Sequence, residues 1–205
     1  MTTPKVVVFD IGNVILNWDP DLLYADLIPD AADRDAFYQR AGMHEMNLDV
    51  DRGAPFKQRI YAQADAHPDD ADLIRAWHDR WTEMLTPEIT GTSDLLRQLK
   101  AQGTAVYALS NFGVDSYTLA QSIYPILNEF DREYISGRMK VIKPDPEIYA
   151  QLERDSGFSG PDLCFFDDRH DNVKVARDRG WQAHVFENPA KMRQDLENMG
   201  LLNHN

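Results

Sequence analysis

The run Val6-Val7-Val8-Phe9, ending in Asp10, constrains the fold of this chain more than any other stretch. Four apolar residues without a polar break read as a strand covered on both faces, which belongs in a parallel sheet with helices on either side. In open α/β sheets, ligands bind beyond the carboxyl ends of such strands. Asp10 stands at that end. Gly12, two residues on, gives the backbone freedom to turn sharply or to approach a ligand closely.

Three further continuous apolar runs repeat the signal: Ala105 to Leu109, Leu163 to Phe166 and Ala183 to Phe186. Helical patterns separate them. Leu95, Leu96 and Leu99 recur at helical spacing, and Gly103 supplies a stop before the second strand. Asp145 is placed as N-cap and Pro146 as first residue of a helix carrying Ile148, Tyr149 and Leu152. Another helix runs from about Asp171, its plain N-cap, to Gly180, and Asn188-Pro189 opens a last one. Strand and helix in alternation mean βαβ units, so the fold class is α/β, a three-layer Rossmann-like parallel sheet.

The segment from Asp19 to about Leu85 carries no convincing strand. Asp19-Pro20 starts a helix, Leu23/Leu27 and Tyr24/Ile28 are i,i+4 pairs, and Phe56, Ile60 and Ala64 form a second stripe. Leu73, Ile74, Trp77, Trp81, Met84 and Leu85 form a third, long and amphipathic. These predict an all-helical module inserted after the first strand, with Trp77 and Trp81 in its core and Thr86-Pro87 at the return. The expected domains are a core of residues 1–17 and 87–205 and a helical domain of residues 18–86.

A chain of 205 residues holds one large domain or a core with a small second module. No stretch approaches the roughly 18 consecutive apolar residues of a membrane span. The first strand begins too early to leave room for a signal peptide, and the single Cys164 has no disulfide partner, so a reducing cytoplasm is expected. The formal net charge of −13 argues against nucleic acid or an anionic membrane as partner. It also means that an anionic substrate needs a bound cation or local basic groups.

Three segments share the location of Asp10, at or just past a strand end. Ser110-Asn111 offers a hydroxyl, an amide and free backbone N–H groups, an anion cradle. Lys143 precedes Pro144, which pushes its backbone into an extended conformation and lets the side chain project from a rigid loop. Asp167-Asp168 sets two carboxylates side by side at the end of an apolar strand, which is costly without a cation. Hard oxygen ligands with room for water suit Mg²⁺.

An aspartate after strand one, Ser-Asn after strand two, Lys-Pro before a helix and Asp-Asp after a later strand, in this order, resemble the four signature motifs of the haloacid dehalogenase-like (HAD) hydrolases. The resemblance covers Val6 to about Phe186, and the inserted helices resemble the family's helical cap of the first type. About thirty residues from Ser110 to Lys143 are too few for the larger α/β cap of other branches. The resemblance implies that Asp10 is a nucleophile forming an aspartyl-phosphate. It implies Mg²⁺ held by the Asp10 carboxylate, the Gly12 carbonyl and Asp168, with Asp167 acting through waters on the metal. Lys143 and the metal then offset the charge between Asp10 and a phosphate, while Ser110 and the Asn111 backbone bind phosphoryl oxygens.

One position departs from the common phosphatase pattern. The second aspartate, two residues after the nucleophile, is Gly12 here, and glycine cannot transfer a proton. Asp10-Ile11-Gly12-Asn13-Val14 is similar to a smaller branch that includes sugar-phosphate phosphatases. A water, a residue of the cap or a good leaving group stands in for the missing acid, with His170 and Asp171 as nearby helpers. The expected function is a Mg²⁺-dependent phosphatase for a small phosphorylated metabolite such as a sugar phosphate, in a monomer or homodimer. A metal-independent 2-haloacid dehalogenase using Asp10 and a non-catalytic binding protein are the alternatives; the intact Asp167-Asp168 pair weighs against the first. Retention of Asp10, Lys143 and Asp168 weighs against the second. Asn13, Asn17, Trp18 and the polar stretch His44 to Arg52 are the candidate substrate contacts.

Overall fold

The computed structural model describes residues 2–203. The chain opens with β1 (Val6–Phe9) and β2 (Leu16–Trp18), then runs through α1 (Asp21–Leu27), α2 (Ala31–Arg40), α3 (Met43–Asp51), α4 (Phe56–Ala66) and α5 (Ala71–Asp79). It returns through β3 (Leu85–Glu88). The rest alternates: α6 (Thr90–Ala101), β4 (Ala105–Ser110), α7 (Val114–Ile123), β5 (Arg132–Ile135), α8 (Ser136–Met139), α9 (Pro146–Ser156), β6 (Leu163–Asp167), α10 (His170–Asp178), β7 (Gln182–Val185) and α11 (Pro189–Asn198).

Five strands form one parallel sheet in the order β5-β4-β1-β6-β7, with β1 in the centre. The apolar run of β1 is explained by its two covered faces. Val7 and Phe9 pack with Leu95, Leu96, Leu99 and Leu196 of α6 and α11; Val6 and Val8 pack with Ile148, Leu152 and Val173 of α9 and α10. Helix, sheet and helix are the three layers expected of a parallel sheet.

The predicted strands sit where the apolar runs are, with β4 and β6 one residue longer and β7 shifted one residue earlier. β5 escapes the sequence reading because Arg132-Glu133-Tyr134-Ile135 is an edge strand with polar, partly exposed positions. Asp145 caps α9 as expected, accepting from Glu147 N, and Asn188 caps α11, accepting from Lys191 N. Asp171 is not the cap of α10: the helix begins at His170, and Asp171 sits in its first turn, paired with Arg169 at 2.8 Å.

The third helical stripe breaks into three pieces. α5 ends at Asp79, Trp81–Met84 is a 3-10 turn, and Leu85 already belongs to β3. The reason is pairing: β2 and β3 form an antiparallel ribbon with Leu16 opposite Glu88 and Trp18 opposite Leu85, so the returning chain must be extended there. The helical segment also carries α2, capped by the Asp30 carboxylate, which accepts from Ala32 N and Asp33 N.

The far end of α3 docks against the core. Ser136 Oγ donates to the Asp51 carbonyl at 2.6 Å, and Lys140 Nζ donates to the Gly53 carbonyl at 3.1 Å. Gly53 has φ +95°, and a Cβ there would lie 2.4 Å from the Gly137 carbonyl, so only glycine fits this approach. Among the described residues no helix is long and apolar enough to cross a membrane.

Candidate active site

The carboxyl ends of β1, β4 and β6 bring together three of the four motifs, and the loop before α9 adds Lys143. Asp10 Oδ1 accepts from Ile11 N at 2.7 Å and Ser110 Oγ at 2.7 Å, and Lys143 Nζ lies 2.8 Å from the same oxygen. Lys143 Nζ also donates to Asp167 Oδ2 at 2.6 Å and to the Leu109 carbonyl at 2.8 Å. Asp10, Ser110, Lys143 and Asp167 are all buried. Burial pushes the Asp10 carboxyl up to about 7; Lys143 pulls it down, and the neighbouring charge of Asp167 raises it further. Burial disfavours the Lys143 ammonium, but the two carboxylates outweigh it and hold its pKa above the usual lysine value.

Asn111 reaches this cluster through Lys143. Its side-chain Oδ1 accepts from Lys143 N at 2.7 Å and its Nδ2 donates to the Lys143 carbonyl at 2.9 Å, fixing the backbone from which the ammonium projects. The Lys143–Pro144 peptide bond is cis.

Asp167 and Asp168 are unlike each other. Both oxygens of Asp167 are filled by protein donors: Lys143 Nζ, Arg169 N at 2.8 Å, and Asn172 Nδ2 at 2.9 and 3.0 Å. Asp168 is partly exposed and, among the described residues, accepts only from Asn13 Nδ2 at 3.3 Å. Burial and the adjacent Asp167 raise its pKa. Oxygens of Asp10, Asp167 and Asp168 all lie within 4.8 Å of one another. A cluster of hard carboxylate oxygens sharing one buried ammonium fits a divalent cation such as Mg²⁺. Asn172 Oδ1, buried beside the cluster, has no hydrogen-bond partner among the described residues, which leaves an acceptor for a metal-bound water.

Gly12 is not the residue that makes the turn after β1. The left-handed backbone is at Asn13 (φ 56°), a residue type that tolerates it. A Cβ at Gly12 would meet only Trp18 Cβ, at 3.9 Å. Asn13 holds the loop in shape, accepting from Trp18 N at 3.0 Å while donating to Asp168.

A cavity of about 450 Å³ opens over this cluster. Its floor is Asp10, Gly12, Asn13, Ser110, Asn111, Lys143 and Asp168. Its opposite wall comes from the helical segment and the ribbon: His44, Asn47, Leu48, Asp51, Phe56, Trp81, Leu85 and Trp18. Trp77 is core, as expected, packed on Trp18 with centroids 5.9 Å apart and on Tyr24 at 6.0 Å. Trp81 is buried and yet lines the cavity, with its ring 5.8 Å from that of Phe112. Helical spacing signals burial but not that the burying partner is a ligand cavity. Asn17, His170 and Asp171 are exposed and outside the cavity lining. Asn172 and Phe112 line it without having been singled out in the sequence; Asn172 sits at the start of a helix, where a polar residue reads as ordinary surface.

An acidic, cation-suited pocket at the carboxyl edge of a Rossmann-like sheet, roofed by helices inserted after the first strand, defines a class of enzyme rather than a bare scaffold. The family model for haloacid dehalogenase-like hydrolases matches residues 4–180, and the chain belongs to that family. A sesquiterpene phosphatase of Aspergillus oryzae is 27% identical over 86% of this chain and 86% of its own. A D-ribitol-5-phosphate phosphatase of Bacteroides thetaiotaomicron is 25% identical over 94% of this chain and 96% of its own. Among solved structures, a HAD family enzyme of the same Bacteroides species in complex with magnesium and inorganic phosphate superposes with a TM-score of 0.68 at 22% identity, covering 90% of this chain and 95% of that one. A dehalogenase superposes with a TM-score of 0.71 at 18% identity over 100% of both chains. At these identities the superpositions speak for the fold alone.

Proposed function

We propose that this protein is a Mg²⁺-dependent phosphatase that cleaves a small phosphorylated metabolite through an aspartyl-phosphate on Asp10, with residues 18–86 as its cap domain. The observation that carries the reading is the sharing of one buried ammonium, Lys143, by two carboxylates, with a third, Asp168, left open beside them. A bound cation offsets the net negative charge of such a cluster.

In this reading Asp10, the Gly12 carbonyl and Asp168 hold the metal, and Asp167 acts on its surroundings while anchoring Lys143. The metal supplies charge that lets a phosphate dianion approach a carboxylate. Asp10 attacks phosphorus, Lys143 and Ser110 hold the nucleophile in place, and Ser110 with the Asn111 backbone binds the phosphoryl oxygens. Asn13 and Trp18 border the substrate. The relatives named for phosphatase activity support phosphoryl transfer over halide displacement, and so does the cluster of three carboxylates on one ammonium, which suits a bound cation that a metal-free dehalogenase does not use.

The wall facing the floor is largely apolar, with Leu48, Phe56, Trp81 and Leu85 against the few polar groups His44, Asn47 and Asp51. An alcohol portion with an apolar or aromatic face suits it better than a bare polyol. The single Cys164 is buried and its thiol is pushed up by burial, which leaves it unreactive. Incubation with p-nitrophenyl phosphate and Mg²⁺, then EDTA, tests the activity; comparing a sugar phosphate with a prenyl phosphate tests the substrate. Chelator-sensitive release of p-nitrophenol supports the phosphatase. Chloride release from 2-chloropropionate that survives EDTA supports the dehalogenase instead, and neither product points to a binding protein.

A further inference from the structure

The phosphatase reading leaves the proton of the leaving group unassigned, because Gly12 has no side chain and His170 and Asp171 lie outside the cavity. We propose that Asp51, the last residue of α3, supplies it: the cap contributes the general acid and base that the first motif lacks. The proposal rests on the phosphatase reading.

Position comes first. Asp51 lines the same cavity as Asp10, Ser110 and Lys143, and it does so from the cap side. Its Oδ2 accepts from Asn47 Nδ2 at 3.0 Å, one turn earlier on the helix, while Oδ1 accepts no protein hydrogen bond among the described residues. Its backbone is pinned to the core, since the Asp51 carbonyl accepts from Ser136 Oγ at 2.6 Å and Ser136 Oγ in turn accepts from Phe112 N at 2.9 Å. Phe112 follows the Ser110-Asn111 cradle directly. The backbone that carries this carboxyl is therefore tied to the core beside the cradle, although Asp51 belongs to the inserted helices, and the side chain lines the cavity it shares with Asp10 and Ser110.

Its electrostatics suit the task. Burial pushes the Asp51 carboxyl up to about 7; Arg52 and Lys143 lower it and Asp10 raises it. The other charged or titratable side chains lining the cavity are His44 on α3, Asp168 and Arg169. A carboxyl in that range serves as both acid and base near neutral pH. His44 is the competing candidate, but it is exposed, makes no hydrogen bond among the described residues, and lies about two turns, roughly 10 Å, up the helix from Asp51.

In the first step an Asp10 oxygen bonds to phosphorus as the P–O bond to the alcohol breaks. The departing oxygen takes that electron pair and the proton of neutral Asp51, giving free alcohol, aspartyl-phosphate and an Asp51 carboxylate. In the second step that carboxylate takes a proton from water as the water oxygen bonds to phosphorus. The acyl-phosphate P–O bond breaks, its electrons return to Asp10, inorganic phosphate leaves and Asp51 is neutral again.

The test is Asp51→Asn in the full chain with Mg²⁺, assayed on p-nitrophenyl phosphate and on an alkyl phosphate. The expected result is a fast burst of about one p-nitrophenol per site followed by slow turnover, because that leaving group needs no proton but the second step needs a base. Single-turnover cleavage of the alkyl ester falls by roughly 10²-fold or more. The alkaline fall of the wild-type rate on the alkyl ester disappears in the variant. Asp51→Glu recovers part of the alkyl cleavage, and Asp35→Asn, an exposed carboxyl of α2 outside the cavity, behaves as wild type. A variant with the wild-type alkyl-to-aryl ratio and no burst overturns the assignment, as does His44→Gln reproducing this pattern in its place. Equal loss on both esters with an unchanged pH profile also overturns it, since that marks a structural role. Wild-type protein that cleaves neither ester overturns the phosphatase reading and the assignment with it.

Discussion

Lys143 and Asp10 form a 2.8 Å ion pair in which both side chains are nearly out of solvent, and the same ammonium is 2.6 Å from Asp167. One cation for two carboxylates makes the lysine structural as well as chemical. Without a metal, Lys143→Met leaves Asp10 and Asp167 facing each other unpaired. Loss of one partner of a buried pair costs about 3–5 kcal/mol. Urea unfolding in EDTA should show that loss as a lower midpoint, alongside lost turnover; an unchanged midpoint contradicts the pairing.

Asp168 carries little of the fold, since among the described residues its only side-chain hydrogen bond is a 3.3 Å contact from Asn13. Asp168→Ala should leave the unfolding midpoint within about 0.5 kcal/mol of wild type, as for most surface changes. The Mg²⁺ concentration for half-maximal activity should rise roughly tenfold or more, at least the effect seen for groups that only support metal ligands. An unchanged metal titration counts against Asp168 as a ligand.

The sequence made the floor of the site legible and left its roof dark, for a physical reason. Asp10, Ser110 and Asp167 terminate buried strands, and a polar residue closing an apolar run stands out. Lys143 announces itself through Pro144. The roof is built from helices whose inward face is apolar whether it covers core or cavity, so Trp77 and Trp81 look alike in sequence and differ in place. The roles of Asn13 as turn residue and of Asn111 as brace for Lys143 depend on backbone geometry that residue type alone does not express. β5 stays hidden because edge strands need no alternation of their own to be held.

Ser136 ties the end of α3 to the loop after β4 by accepting from Phe112 N and donating to the Asp51 carbonyl, and it is fully buried. Ser136→Ala strands both partners. The expected cost is about 1–3 kcal/mol, read by thermal or urea unfolding. Asp51 loses its anchor as well, so kcat should fall more than KM rises. A variant of wild-type stability and kcat contradicts the role of this contact.

Asp51 also gives a pH dependence of stability whose sign follows from its shift. Its folded pKa lies near 7, above the ordinary aspartate value of 3.8. Between these values the folded state binds more protons than the unfolded one, so its contribution is complete below about pH 4 and is lost as pH rises through 7. In EDTA, wild-type Tm should therefore fall more between pH 5 and 8 than the Tm of Asp51→Asn. Parallel pH curves for the two proteins contradict a half-buried, proton-holding Asp51.

The central claim is that Asp10 takes the phosphoryl group, and acid-quenched turnover of a radiolabelled phosphate ester with Mg²⁺ tests it most directly. Wild-type protein should carry label that maps to the peptide containing Asp10, while Asp10→Asn should carry none, turn over no substrate and unfold as a folded protein does. Full turnover by Asp10→Asn, or label that maps elsewhere, contradicts the account.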